Sequence, residues 1–157
     1  REHNLYEKQK NQLQCISAIA KRAAENGIVT VFHPNSGDNS IFRYENDYHI
    51  MFDTLYAKGI GYAPDVGHML NGGIDPLKTI KAHRDLVRHV HFKDMTAAHR
   101  WAVMGKGIGD FKSIVDFLDE TGYEGWIMTE DESPEAEHDS DQVVLADGKY
   151  MKSIQNQ

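Results

Sequence analysis

The sequence contains a single cysteine, Cys15, among 157 residues. No intrachain disulfide can form, so a disulfide-stapled scaffold is excluded and a reducing, cytoplasmic setting is expected. Cys15 itself falls in an apolar helical stripe. Long hydrophobic runs are missing as well. No segment approaches the roughly 20 apolar residues that cross a bilayer, the mean hydropathy is −0.57, and no membrane partner is expected. Basic residues are outnumbered, 17 Lys and Arg against 24 Asp and Glu, giving a formal charge of −7. A general electrostatic grip on a phosphate backbone is therefore not expected, nor is nucleic acid as a partner. The first residue, Arg1, is not Met, and no charged-then-apolar leader follows it, so we expect the chain to begin partway through a longer product. What remains is the make-up of one globular domain over residues 1–157, with 40% hydrophobic and 26% charged residues and no linker or low-complexity tract.

Along that domain, helical and extended patterns alternate. Leu5, Leu13, Ile16, Ile19, Ala20 and Ala23 recur at mostly three- and four-residue steps, which predicts a helix over 5–24 that stops at Asn26-Gly27. Ile28 to Phe32 is a short apolar run without polar alternation, expected as a strand covered on both faces. A helix over 44–57, a weak strand over 60–63, a helix opened by Asp75-Pro76 and a strand over 86–92 follow. An irregular stretch around Trp101 and a glycine-rich turn lead to a helix over 110–120, a strand over 126–129 and a last helix over 139–153.

Strands alternating with helices imply right-handed crossovers and a parallel sheet, either open or closed into a (β/α)8 barrel. The strand ends favour the barrel. An open sheet carries a glycine-rich phosphate turn after its first strand, whereas here that strand ends in His33-Pro34-Asn35. All four strands end in a residue able to bind a metal: His33, Asp65, His91 and Glu130. Strand alternation puts Val29, Val31 and His33 on one side, as it does His89, His91 and Lys93, and Trp126, Met128 and Glu130. Two imidazoles and two carboxylates at one barrel mouth suit Mn²⁺, Co²⁺, Zn²⁺ or Fe²⁺ better than Mg²⁺ or Ca²⁺. Singly, each has an ordinary reading: a loop hydrogen bond for His33, a helix cap for Asp65, barrel filling for His89. A complete barrel takes about 250 residues, so the expected fold is the C-terminal half, about four βα units, of a TIM barrel. Both sheet edges of four strands are open, and either upstream strands or a second copy, making a homo-oligomer, would have to pair with them.

The residues at these strand ends form an ordered series: Pro64-Asp65-Val66-Gly67-His68, His89-Val90-His91-Phe92-Lys93-Asp94, Gly105-Lys106-Gly107-Ile108-Gly109-Asp110-Phe111, and Gly122-Tyr123-Glu124-Gly125-Trp126 running on to Glu130. That series resembles the sugar phosphate isomerase/epimerase family, with its xylose-isomerase-like barrel. The resemblance implies a metal-dependent enzyme acting on a small sugar, ketose or polyol through an enediolate-type intermediate. It implies Asp65, His91 and Glu130 as metal ligands, to which the strand-end pattern adds His33, with Glu130, His68 and Lys93 as catalytic groups and His68 and Lys93 as substrate contacts. Arg100 and Trp101 are further candidate substrate contacts near the mouth. One position departs from many epimerases of the family, which carry a glutamate where this chain has His33, so that only Glu130 remains of a two-carboxylate pair. His33-Pro34 and the Glu130-Asp131-Glu132-Ser133-Pro134 ending are similar instead to the inosose dehydratase branch, which makes a lyase the alternative to an isomerase or epimerase.

Gly105 to Gly109 lacks both G-x-G-x-x-G and a phosphate-loop lysine, and is expected as a flexible barrel loop. Trp126 is expected either to fill the barrel or to form a substrate platform. Most of the acidic run 130–137 is expected as solvated loop. Two other classes remain. A metal-dependent endonuclease acting at abasic sites shares this barrel but needs a basic face that the charge of −7 does not supply. An inactive sugar-binding fragment would keep the ligands and lose the turnover.

Overall fold

The computed structural model describes residues 3–155. It opens with α1 (Leu5–Ala24), whose buried Leu13 and Ala20 face α2 (Glu45–Lys58). Gln9, buried between the two, donates to Ile41 O at 2.7 Å and to Asp47 Oδ1 at 2.8 Å, pinning the loop that precedes α2. Cys15 is exposed, off the packed stripe in which its sequence spacing placed it. Strand β1 (Val31–Phe32) precedes α2, and β2 (Gly61–Tyr62) follows it in parallel register, Val31 opposite Gly61. Two short helices, α3 (Val66–Asn71) and α4 (Pro76–Ala82), then lead to β3 (Val90–Phe92). A small antiparallel hairpin, β4 (Asp94–Met95) and β5 (Trp101–Ala102), precedes α5 (Phe111–Glu120). β6 (Ile127–Thr129) pairs in parallel with β3, and α6 (Pro134–His138) and α7 (Ser140–Ile154) complete the described chain.

The parallel strands form one row, β1-β2-β3-β6. Its two ladders are joined by bridges between Tyr62 and Val87 and between Asp65 and His91, with His91 N donating to Pro64 O at 2.8 Å. All of the parallel order expected from sequence is present. The helices bury one face of this row: Met51 and Leu55 of α2, Phe111, Ile114 and Leu118 of α5, and Tyr62, Val90 and Phe92 from the sheet form a common core. Among the described residues, no helix covers the opposite face. Val29 is 78% exposed, Trp126 79% and Met128 46%, so among the described residues nothing packs over this side of the 28–32 run or over Trp126. An apolar run reports what a strand can bury, and here helices cover only one of its faces.

The glycine-rich segment is also more ordered than its composition implies. Asp94 Oδ2 accepts from the backbone N–H of Gly105 at 3.0 Å and of Gly107 at 2.8 Å, while Oδ1 accepts from Gly109 at 3.1 Å and Met95 at 2.8 Å. The loop closes around the protein's own carboxylate in the way that phosphate loops close around a ligand. Glycine is required there for close approach, because a Cβ on Gly107 would lie 2.2 Å from Asp94 Oδ1. This loop is a fastening rather than a flexible strap.

Candidate active site

Each candidate side chain is delivered by the end of a parallel strand or by the loop that follows it. His33 follows β1, Asp65 follows β2, His91 lies in β3 and Glu130 follows β6. Between neighbouring strand ends the side chains come within reach: His33, Asp65 and His91 each offer an atom within 4.8 Å of the others. The His33 and His91 rings meet edge to face at 4.4 Å between centroids. His33 Nε2 lies 3.5 Å from Asp65 Oδ2, an approach whose geometry does not make a hydrogen bond, and both atoms are buried with no hydrogen-bond partner. Buried polar atoms without partners are costly. Two imidazoles and a carboxylate with unused lone pairs turned to one point fit a divalent cation of the Mn²⁺, Co²⁺, Zn²⁺, Fe²⁺ group.

The two oxygens of Asp65 have different surroundings. Its Oδ1 caps α3 by accepting from His68 N at 2.8 Å, which leaves Oδ2 for the cleft. The helix-cap reading and the ligand reading of this residue are therefore compatible, one for each oxygen. Burial pushes the Asp65 carboxyl up, but the approach of His33, the contacts from His68 and the Lys93 ammonium outweigh it, and the group is held below its usual range. Glu130 stands beside the three-residue cluster rather than inside it. Its Oε1 is 2.6 Å from His91 Nδ1 and its Oε2 3.1 Å from Lys93 Nζ. Burial raises this carboxyl too, and the hydrogen bonds from Lys93 and His91 bring it below the ordinary value, so it is a carboxylate at neutral pH.

Lys93 is 2% exposed, and its ammonium is shared between Glu132 at 2.9 Å and Glu130, with Asp65 Oδ2 at 4.0 Å. Burial alone would depress it; these carboxylates raise it and keep it charged. The Trp101 ring lies 5.3 Å from Lys93 Nζ, and the same indole meets the His68 ring edge to face at 5.5 Å. Trp101 is thus part of the site wall. Arg100 is exposed and lines, together with Trp101, a cavity of about 790 Å³ that Lys106, His138 and Gln142 also border. His68 is buried, with Ser36 Oγ at 2.9 Å from Nδ1 and Asn35 Nδ2 at 3.3 Å from Nε2, and burial lowers its basicity. Close packing fixes this arrangement, since a Cβ on Gly67 would lie 2.7 Å from Lys93 O and 2.8 Å from Lys93 Cβ. Gly67→Ala is expected to cost about 1–3 kcal/mol by overpacking, read as a lower urea midpoint with an unchanged slope.

The sequence did not single out Ser36, Asn71 or Glu132. Glu132 sat in an acidic run of the sort that is usually solvated, and Asn71 ends a six-residue helix too short to announce itself by periodicity.

The model of the xylose isomerase-like TIM barrel family matches residues 2–154. The chain belongs to that family. Among curated members, the inosose dehydratase of Lacticaseibacillus casei is 29% identical over 159 residues, an alignment that takes in 90% of this chain and 53% of the relative. The chain thus spans about half the length of the curated relatives it matches. Among solved structures, the IOLI protein with a binding zinc atom superposes with a TM-score of 0.77 at 15% identity, over 98% of this chain and 58% of that one. The D-allulose 3-epimerase from Methylomonas sp. follows the same path with a TM-score of 0.71 at 22% identity, over 93% of this chain and 55% of its own. Both likenesses confirm the xylose isomerase-like course of the backbone, and the relatives are enzymes.

Proposed function

We propose that the chain carries the metal-binding and proton-transfer residues of an enzyme acting on a small sugar, ketose or keto-polyol, with removal of the proton next to a carbonyl as its first step. The observation that carries this reading is the convergence of His33, Asp65 and His91 with two buried, unpartnered atoms turned to one point. His33, Asp65 and His91 would hold a divalent cation, with Glu130 at hand beside His91. When bound, the cation supplies Lewis-acid polarisation of a carbonyl and its neighbouring hydroxyl.

The chain's own groups do the rest. Glu130, ionised at neutral pH, is the proton acceptor, and its bonds to His91 and Lys93 hold it in place. Lys93 stays charged and buried, so it balances negative charge developing on the substrate oxygen. Trp101 and His68 bound the space in which the substrate lies.

For the fate of the intermediate we favour loss of a β-hydroxyl over return of the proton. A two-carboxylate exchange of a proton between faces needs a second acid where this chain has His33, and the curated relatives at 29% and 28% identity are inosose dehydratases. Incubation with Mn²⁺, Co²⁺ or Zn²⁺ and either keto-inositols or ketoses in D₂O, followed by NMR, distinguishes the outcomes. An unsaturated or rearranged ketone lacking one water supports dehydration. Deuterium incorporation with the water retained supports epimerisation or isomerisation. Absence of any bound divalent ion would sink the proposal, as would neither product with the ion bound.

A further inference from the structure

One chain of hydrogen bonds behind His68 has a direction that its partners fix. Asn35 Oδ1 accepts from the backbone N–H of Gly37 at 2.7 Å and from Ser40 Oγ at 3.3 Å. A backbone N–H can only donate, so the Asn35 amide is oriented with its NH₂ toward His68 Nε2, 3.3 Å away. That nitrogen is therefore the acceptor. On the other side of the ring, Ser36 Oγ lies 2.9 Å from Nδ1 and receives a bond from Asn71 Nδ2 at 2.9 Å. The Asn71 amide is oriented by the same logic, because its Nδ2 also reaches the Ser36 carbonyl at 3.4 Å, while its Oδ1 faces His99 Nδ1 at 3.1 Å. His99 sits in the β4–β5 turn with φ 55°, so the hairpin that supplies Trp101 ends in the same chain of bonds.

We infer that Asn35, Ser36 and Asn71 are positioning residues that lock His68 in the Nδ1–H tautomer, so that Nε2 offers a lone pair and recognises a hydroxyl of the substrate rather than a carbonyl or carboxylate oxygen. This rests on the proposed sugar or polyol chemistry for its substrate, though the tautomer stands independently of it. The alternative tautomer would set Nε2–H against the Asn35 NH₂, two donors facing each other. Asn35 is a long, weak partner at 3.3 Å, and an incoming hydroxyl displaces it at little cost. His68 thereby selects for a donor at that position. Ser36 and Asn71 act only through it.

The test is long-range ¹H–¹⁵N correlation on the full chain labelled at histidine, with His68 assigned by its loss in His68→Gln. A protonated-type Nδ1 and an unprotonated-type Nε2 in the wild-type spectrum are expected. In Ser36→Ala the two nitrogen shifts move toward each other, and Ser36→Thr, which keeps the hydroxyl, restores them. A wild-type His68 with its proton on Nε2 overturns the inference, as does a Ser36→Ala spectrum unchanged from wild type in a folded protein. Calorimetric titration of the same sample with Co²⁺ separates the two claims: tautomer as expected without metal binding refutes the proposed function alone, and metal binding with the other tautomer refutes this one alone.

Discussion

Replacing Asp65 by asparagine is expected to remove divalent-metal binding while leaving the protein folded. The two oxygens of this side chain have separate duties, Oδ1 capping α3 at His68 N and Oδ2 facing His33 and Lys93. An amide can keep its oxygen at the cap, where only an acceptor is required, so the helix start survives. It must then turn its NH₂ into the cleft, where an anionic ligand is needed. A metal site tolerates no such exchange. Changes to groups that merely support a ligand cost 10- to 100-fold in affinity, and loss of the ligand itself should exceed about 100-fold, read by calorimetric titration with Co²⁺ or Zn²⁺. A thermal midpoint within a few degrees of wild type would accompany it. Unaltered affinity would mean that Asp65 is a cap and nothing more. The acid side of stability should respond as well. Asp65 and Glu130 are both held below their usual range in the folded state, so each contributes stability present above its unfolded value and lost as pH falls through the folded one. Asp65→Asn should therefore weaken the dependence of unfolding on pH in that acidic window.

Asp94→Asn is expected to be the more damaging change to the fold, although it alters one atom. Both carboxylate oxygens are saturated by donors: Gly105 and Gly107 on Oδ2, Gly109 and Met95 on Oδ1. Whichever way an amide is placed, its NH₂ confronts two backbone N–H groups. Hydrogen bonds to a charged group contribute about 1.5–3 kcal/mol each, so losing two and opposing their donors should cost at least about 3 kcal/mol. For a domain of this size that corresponds to a fall of roughly 6–12 °C in melting temperature. Scanning calorimetry checks it, and a fall under about 2 °C would show that the loop is held by something else. The same substitution is thus expected to have a small thermal effect at Asp65 and a large one at Asp94.

Much of this architecture was legible in the sequence because the signals were periodic and long. α1, α2 and α5 fall within a residue or two of where apolar spacing and caps put them, and His33, Asp65 and His91 meet because they end strands that neighbour one another. The short elements were not legible. α3, with six residues, and α6, with five, have too few turns to show a period, and the β4–β5 hairpin is two residues a side. Of these pieces, α3 carries Asn71 and the hairpin turn carries His99, so the groups bonded behind His68 went unread although His68 and Trp101 were themselves candidates. Asp94 escaped for a different reason. Nothing local marks a carboxylate as the occupant of a glycine loop that begins eleven residues later, and only the tertiary structure brings them together.

The face of the sheet that the helices leave open bears on the strength of the site as well as on its shape. Two unit charges about 4 Å apart attract by about 1 kcal/mol in bulk water and by about 4 kcal/mol at the effective dielectric typical of a protein surface. Lys93 and Asp65 stand at that separation, on a sheet whose inner apolar residues Val31, Met128 and Trp126 are open to solvent. Whatever packs on that face sets the medium in which a proton would be moved. Covering those three side chains would act on the chemistry from a distance, as a change of medium, without adding any group to the site.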